Sequence, residues 1–315
     1  MSTEGGTRAI VAALLANTGI AISKFIAFLI TGASSMLAES VHSVADASNQ
    51  GLLLLGGKRA TRQATPEHPF GYGRERYIYA FIVSIVLFSL GGLFALYEGY
   101  HKIEQSLDGE AELVSPIVAI AVLLVAIVLE SFSLRTAVKE SNHARGDRSW
   151  VQFVRTAKAP ELPVVLLEDV GALVGLVLAL IGVSLATVTG DAIWDGLGTM
   201  GIGLLLVVIA VILAIETKSL LLGESATAQD VAKIVAAIEA EPSVAGLIHM
   251  RTLHLGPEEL LVAAKVAVLS TDSAGAVTAA INAAEDRIRG AVPIARVIYL
   301  EPDLQYAEEP VAGGT

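Results

Sequence analysis

The sequence predicts an α-helical membrane protein of six spans followed by a small α+β domain, and three observations carry that prediction. Apolar residues make up 54% of the 315-residue chain and charged residues only 17%, which is richer and poorer, respectively, than an ordinary soluble domain. Six apolar stretches precede residue 218, each near the roughly 20 residues that cross a hydrocarbon core of about 30 Å at about 1.5 Å per residue. After Leu222 the hydropathy falls and the pattern becomes that of a compact soluble unit.

The six stretches are residues 9–31, 34–57, 77–97, 113–134, 162–186 and 193–215. Their orientation follows from the short loops, where Lys and Arg collect on the cytoplasmic side. The connection between the second and third spans holds Lys58, Arg59, Arg62, Arg74 and Arg76, and that between the fourth and fifth holds Arg135, Lys139, Arg145, Arg148, Arg155 and Lys158. On the other side the connections contribute only Lys102. Both termini are therefore expected in the cytoplasm of a plasma (inner) membrane. The opening MSTEGGTR has one Arg and no small-residue cleavage site, so the first span is expected to stay in place.

Past the last span, residues 228–239 read as a helix that ends before Pro242. Residues 247–255 and 260–269 read as strands joined by the hairpin-length GPEE, followed by a helix at 274–289 and a strand at 294–300. The order αββαβ suits an open-faced sandwich. The expected organisation is a membrane domain at 1–218, a cytoplasmic domain at 219–303 and a disordered tail at 304–315, the Gly, Glu and Pro-rich end beginning at Asp303.

Composition narrows the chemistry. With no cysteine, thiolate metal sites and disulfides are excluded, so any metal is held by oxygen and imidazole. A formal charge of −11 argues against nucleic acid as a partner. From Ser219 onward there are 13 acidic and 6 basic residues, so the acidity belongs mainly to the last third.

Ionisable groups inside a bilayer are costly and usually face a bundle interior or a water-filled path. In LAESVHSVADASNQ of the second span, Glu39, His42, Asp46 and Asn49 are spaced i, i+3, i+7 and i+10, which makes one polar stripe at about 100° per residue. His42 and Asp46 are one turn apart and can share an ion. The fifth span carries Glu168 and Asp169 in VVLLEDVGALVG, with Asp169 the more direct ligand of the two. Both pairs fall near the midplane when the rise is counted from opposite faces.

Imidazole plus two or three carboxylates suits a divalent first-row metal, zinc first, with manganese, iron or cobalt behind it. His42 must be neutral to bind, so metal entering expels a proton, which is the physical basis of metal/proton exchange. The alternative for His42 and Asp46 is a structural hydrogen-bonded pair between helices. Lys24, Glu98 and Glu130 read as snorkelling or rim residues, and Asn17 is set aside. An aspartate dyad of Asp46 and Asp169, as in an intramembrane protease, would be overloaded by His42 and Glu168, so no enzyme is expected.

Three motifs, SMLAESVHSVADASNQ, HPFGYGRERY and LLEDVGALVG, each at a matching place in the topology, give residues 8–302 a resemblance to the cation diffusion facilitators. That resemblance implies a six-span metal/proton antiporter with a cytoplasmic ferredoxin-like, metallochaperone-like αββαβ domain that serves a homodimer. It implies that His42 and Asp46 fill the ligand pair of the second span and Asp169 one position on the fifth. Val165 stands one turn before Asp169, where many members have His or Asp, and the Glu-Asp subgroup suggests Glu168 as the missing ligand. Glu39 and Asn49 then guide the ion in or support its ligands.

The resemblance also raises secondary metal positions at Glu67 and His68 in the loop, with Tyr72 where a ligand His is often found. In the last domain the candidates are His249, His254, Glu301 and Asp303. The expected activity is export of Zn2+, the transported substrate, in exchange for protons. The alternatives are Mn2+, Fe2+ or Co2+ as the main substrate, or a metal-binding membrane sensor or scaffold that does not transport.

Overall fold

The computed structural model describes residues 3–31, 34–108 and 116–304; the side chains of 3–5, 31, 34–39, 41, 42 and 116 lie outside the described set. Chain contacts divide it into two compact units, the first running to Leu221 and the second beginning at Leu222.

The first unit contains α1 (Thr3–Thr31), α2 (Ser34–Ala60), α3 (Glu75–Val86), α4 (Phe94–Leu107), α5 (Pro116–Arg145), α6 (Trp150–Thr156), α7 (Glu161–Thr189) and α8 (Ile193–Leu222). A π-helical stretch, Leu87–Leu93, joins α3 to α4 into one passage. Among the described residues, five segments are long and apolar enough to cross a membrane: Gly6–Ile30, Glu75–Leu107, Ile117–Arg145, Glu161–Thr189 and Ile193–Leu222. The remaining expected span, α2, is 27 residues long. Its polar stripe and terminal Lys58 and Arg59 set it apart in composition, and it packs between α1 and α3.

Several helices overrun their apolar stretches because charged residues with good helix propensity extend them beyond the hydrocarbon. Thus α5 continues to Arg145, where the apolar run alone predicts an end at residue 134. The short α6 lies in the basic loop that follows. Ser149 accepts from the Gln152 amide while the Gln152 side chain caps Ser149 in return, and Phe153 is buried in the bundle core.

The packing of α4 on α8 is reciprocal. A Cβ on Gly92 would meet Val207, one on Gly203 would lie 2.7 Å from the Leu96 backbone nitrogen, one on Gly99 would lie 2.6 Å from that of Met200, and one on Gly196 would meet Ile103. Each glycine receives a large residue from the opposite helix along an antiparallel seam, the close approach that drives helix association where hydrophobic burial cannot. Lys102 Nζ closes the end of the seam on Asp195 Oδ2 at 2.9 Å.

The second unit contains α9 (Ala228–Glu239), β1 (Gly246–Gly256), β2 (Glu259–Val268), α10 (Ala274–Ala291) and β3 (Val297–Leu304). The order αββαβ is the one the sequence predicts. Thr227 and Ser273 cap the two helices through the amides of Asp230 and Ala276. β1 and β2 are antiparallel, β2 and β3 parallel, with β2 central. Alternate β2 residues Leu260, Val262, Ala264 and Val266 share a core with Ile234 and Ile238 of α9 and with Ala284 and Ile288 of α10.

The last strand differs from expectation at both ends. Ala295 donates to Val292 O and Arg296 to Ile294 O, so 292–296 form a turn and pairing starts at Val297. Asp303 and Leu304, placed by the sequence reading at the start of a disordered tail, belong to β3, because their backbone pairs with Ala267 and Val268. The rest of that tail, 305–315, lies outside the described residues.

Candidate metal site

Two polar seams run through the first unit. Between α1 and α2, Lys24 Nζ donates to Ser43 Oγ at 3.0 Å, Ser40 Oγ to Ala21 O at 3.0 Å, and Asn17 Nδ2 to Gln50 Oε1 at 3.3 Å. Between α2 and α7, Asn49 Nδ2 donates to Glu168 Oε1 at 2.9 Å and Gln50 Nε2 to Glu168 Oε2 at 2.8 Å. Gln50 belongs to both seams, so Asn17, Gln50, Glu168 and Asn49 form one connected network over three helices. Buried polar groups of this kind must be satisfied, and a shared network fixes the register of the helices that carry it.

Asp169 faces the other way. Its Oδ2 accepts from Ser133 Oγ of α5 at 2.7 Å, and the residue is 1% exposed. Adjacent residues on a helix point about 100° apart. The Glu-Asp pair therefore serves two neighbours at once, Glu168 toward α2 and Asp169 toward α5. Val165, one turn earlier on α7, is fully buried among apolar side chains.

Asp46 is half-buried on α2 and within charge reach of Glu168. Glu39 and His42 fall on the same helix, and their side chains lie outside the described residues. Asn49, expected to guide or support, is a direct partner of Glu168.

Three residues set aside by sequence reasoning are buried in the polar interior. Glu130, read as a rim residue, is 1% exposed and within charge reach of Asp169, Asp46 and Glu168. Lys24, read as snorkelling, is buried and bonded to Ser43. Asn17 is buried against Gln50. The signal that could have found Glu130 is its spacing, one turn before Ser133 on a helix that continues 15 residues beyond it to Arg145.

Among the described residues no three His, Asp or Glu side chains converge as a metal-holding group. Glu168 spends both oxygens on amides and Asp169 one on a hydroxyl, neutral donors that a cation can replace without moving a charge.

Of the secondary positions, His68, His254, Glu301 and Asp303 have local partners. Glu67 and His68 are exposed in the loop, where Tyr72 Oη lies 3.2 Å from His68 Nδ1 and 3.3 Å from Thr65 Oγ1, with Arg62 over the Tyr72 ring. Gly71, at φ 75°, makes the turn that brings them together. Farther along the same motif, Arg76 pairs with Glu161 at the start of α7, 3.4 Å away.

In the second unit, His249, Lys265 and Glu301 form one row across the sheet. Lys265 Nζ donates to Asp303 Oδ2 at 2.8 Å and meets Glu301 Oε1 at 3.3 Å, so an ammonium stands where a metal would need these carboxylates. The Asp303 hydrogen bond, with Glu301 behind it, holds the Lys265 ammonium above the usual lysine range, and the Lys265 bond holds the Asp303 carboxyl below the usual carboxylate range. His254 points into the core, with Nδ1 3.3 Å from Gly256 O.

Buried carboxylates, amides and an ammonium inside a bundle of apolar helices mark an integral membrane protein with a polar interior. The chain belongs to the cation efflux family of metal transporters, the cation diffusion facilitators, whose cation efflux transmembrane domain matches residues 10–222. It is 30% identical over 256 residues to the proton-coupled zinc antiporter SLC30A9, mitochondrial, of Mus musculus, covering 80% of this chain and 44% of that protein. It is 26% identical over 261 residues to metal tolerance protein C4 of Arabidopsis thaliana, covering 82% and 56%. The magnetosome protein MamB of Magnetospira sp. (strain QH-2) is 26% identical over 205 residues, covering 65% and 63%. The chain thus spans about half the length of the first two of these relatives.

Proposed function

We propose that the protein exports a divalent metal cation, zinc first, from the cytoplasm in exchange for protons. The observation that carries this reading is the placement of Glu168 and Asp169 in the buried interior, bonded to α2 and α5 respectively, with Asp46 in charge reach. His42 stands one turn before Asp46 on α2 and is assigned the imidazole ligand. The name of the SLC30A9 relatives, proton-coupled zinc antiporters, supports zinc and protons as the exchanged ions. A cation entering the site displaces the amide and hydroxyl donors from Glu168 and Asp169. Protons arriving from the opposite side restore the hydrogen-bonded arrangement.

The assignment places residues 1–218 in the membrane and 219–303 in the cytoplasm, with both termini on the side of the eleven basic loop residues. The SLC30A9 name puts those proteins in mitochondria and lends no support to a plasma membrane here; the basic loops support only the choice of face. A homodimer is assigned through the second unit, because α9 and α10 cover one face of its sheet and leave Tyr299 of the other face 59% exposed.

The test is zinc flux in proteoliposomes under an imposed pH gradient. Uptake driven by an acidic lumen, and lost in Asp46→Asn and Asp169→Asn, supports the reading. Flux unchanged in both variants overturns it.

A further inference from the structure

We infer that Glu130 of α5 is itself a cation-holding residue, so that the intramembrane site has three walls, α2, α5 and α7. This rests on the metal-carrying reading above and adds a ligand to it.

Geometry carries the inference. Glu130 lies one turn before Ser133 on α5, and Ser133 Oγ is the group bonded to Asp169, so the face of α5 that bears Glu130 is the face turned to the site. Glu130 is 1% exposed, and its Oε1 has no hydrogen-bond partner among the described residues. Asn49 Oδ1, on the α2 wall, is a second buried oxygen with none. Two buried acceptors left without donors are an arrangement that folded proteins rarely keep unless something else fills their lone pairs.

The missing partner has a definite chemistry. Among the described residues, Glu130 is within charge reach of Asp169, Asp46 and Glu168, and of Lys24 on α1. A divalent cation supplies the partner that these buried lone pairs lack. Because the two open atoms are oxygens, the enlarged set admits a hard ion such as Mn2+ alongside Zn2+.

The experiment is equilibrium titration of the purified full chain in detergent with Zn2+ and, separately, Mn2+, in Glu130→Gln, Glu130→Asp and Asp169→Asn. The expected result is binding of both ions about tenfold weaker in Glu130→Gln, with Glu130→Asp keeping the charge and staying within about threefold of the unmodified chain. The inference is overturned if Glu130→Gln binds both ions within about twofold of the unmodified chain while Asp169→Asn has lost them. It is equally overturned if Glu130→Asp loses binding as fully as Glu130→Gln and both melt at lower temperature without metal, since that marks a packing role. Binding retained in Asp169→Asn would instead sink the underlying reading of the site.

Discussion

Asn49 Nδ2 donates to Glu168 Oε1 at 2.9 Å, joining the second helix of the chain to the seventh across the bundle interior. A hydrogen bond to a carboxylate contributes about 1.5–3 kcal/mol. Asn49→Ala leaves Glu168 on Gln50 alone, so zinc flux in proteoliposomes should fall about tenfold or more. The same variant should melt at lower temperature, which separates it from a change confined to the ion.

Ser133→Ala removes the donor 2.7 Å from Asp169 and leaves a buried carboxylate oxygen to find another. The expected cost is about 1–3 kcal/mol of stability, together with weaker metal binding. Ser133→Thr keeps the hydroxyl and should retain most of both, as read by thermal melts and metal titration.

Gly203→Leu should disrupt the bundle. The first added carbon already falls 2.7 Å from a backbone atom of Leu96, which has no rotamer with which to yield. A loss of about 2 kcal/mol or more is expected. Gly57→Ala is the contrast, since nothing lies within 4 Å of a Cβ there. Its helix propensity alone predicts no loss and up to about 1 kcal/mol of gain, measured by denaturation in detergent.

The Lys265 clamp on β3 gives a pH dependence of known sign. The Asp303 carboxyl is depressed by its Lys265 hydrogen bond, so its contribution is present above the unfolded value of about 3.9 and is lost as pH falls through its folded value. The Lys265 ammonium is raised, so its contribution is present below about 10.4 and is lost as pH rises through its folded value. Protection of β3 amides, taken relative to the intrinsic exchange rate at each pH, should therefore fall under acid and strong alkali. Asp303→Asn should abolish the acid limb, while an unchanged acid limb in that variant would assign it elsewhere.

The burial of Glu168 and Asp169 in the bundle interior was legible because two adjacent carboxylates in an apolar run carry a cost that burial without a partner would not sustain. Glu130 was not, because a lone carboxylate near the end of an apolar run looks like a rim residue, and only the continuation of α5 to Arg145 shows it to be interior. The αββαβ order was legible from period and turn residues, whereas the end of β3 was not. Asp303 reads as the start of a polar tail, and it is the pairing to β2 and the bond to Lys265 that make it strand. The tie from Gln50 to both Asn17 and Glu168 joins residues distant in sequence, and no local pattern announces it.

The π-helical stretch at Leu87–Leu93 bears on how this passage is compared with others. The stripe of Gly92, Leu96, Gly99 and Ile103 that meets α8, continued backward in ideal α-helical steps, would run through Ile85, Ile82 and Ile78. Those three isoleucines are exposed, while Tyr77, Tyr79, Ala80, Val83, Ser84 and Leu87 are buried. The wider turn therefore shifts the inward face by about one residue, the rotation that a single-residue insertion produces. A gapless alignment of this passage with an unbroken helix would set lipid-facing isoleucines against packing glycines on one side of residues 87–93. Deleting one residue within that stretch should turn the glycine stripe away from α8 with every side chain of the stripe intact.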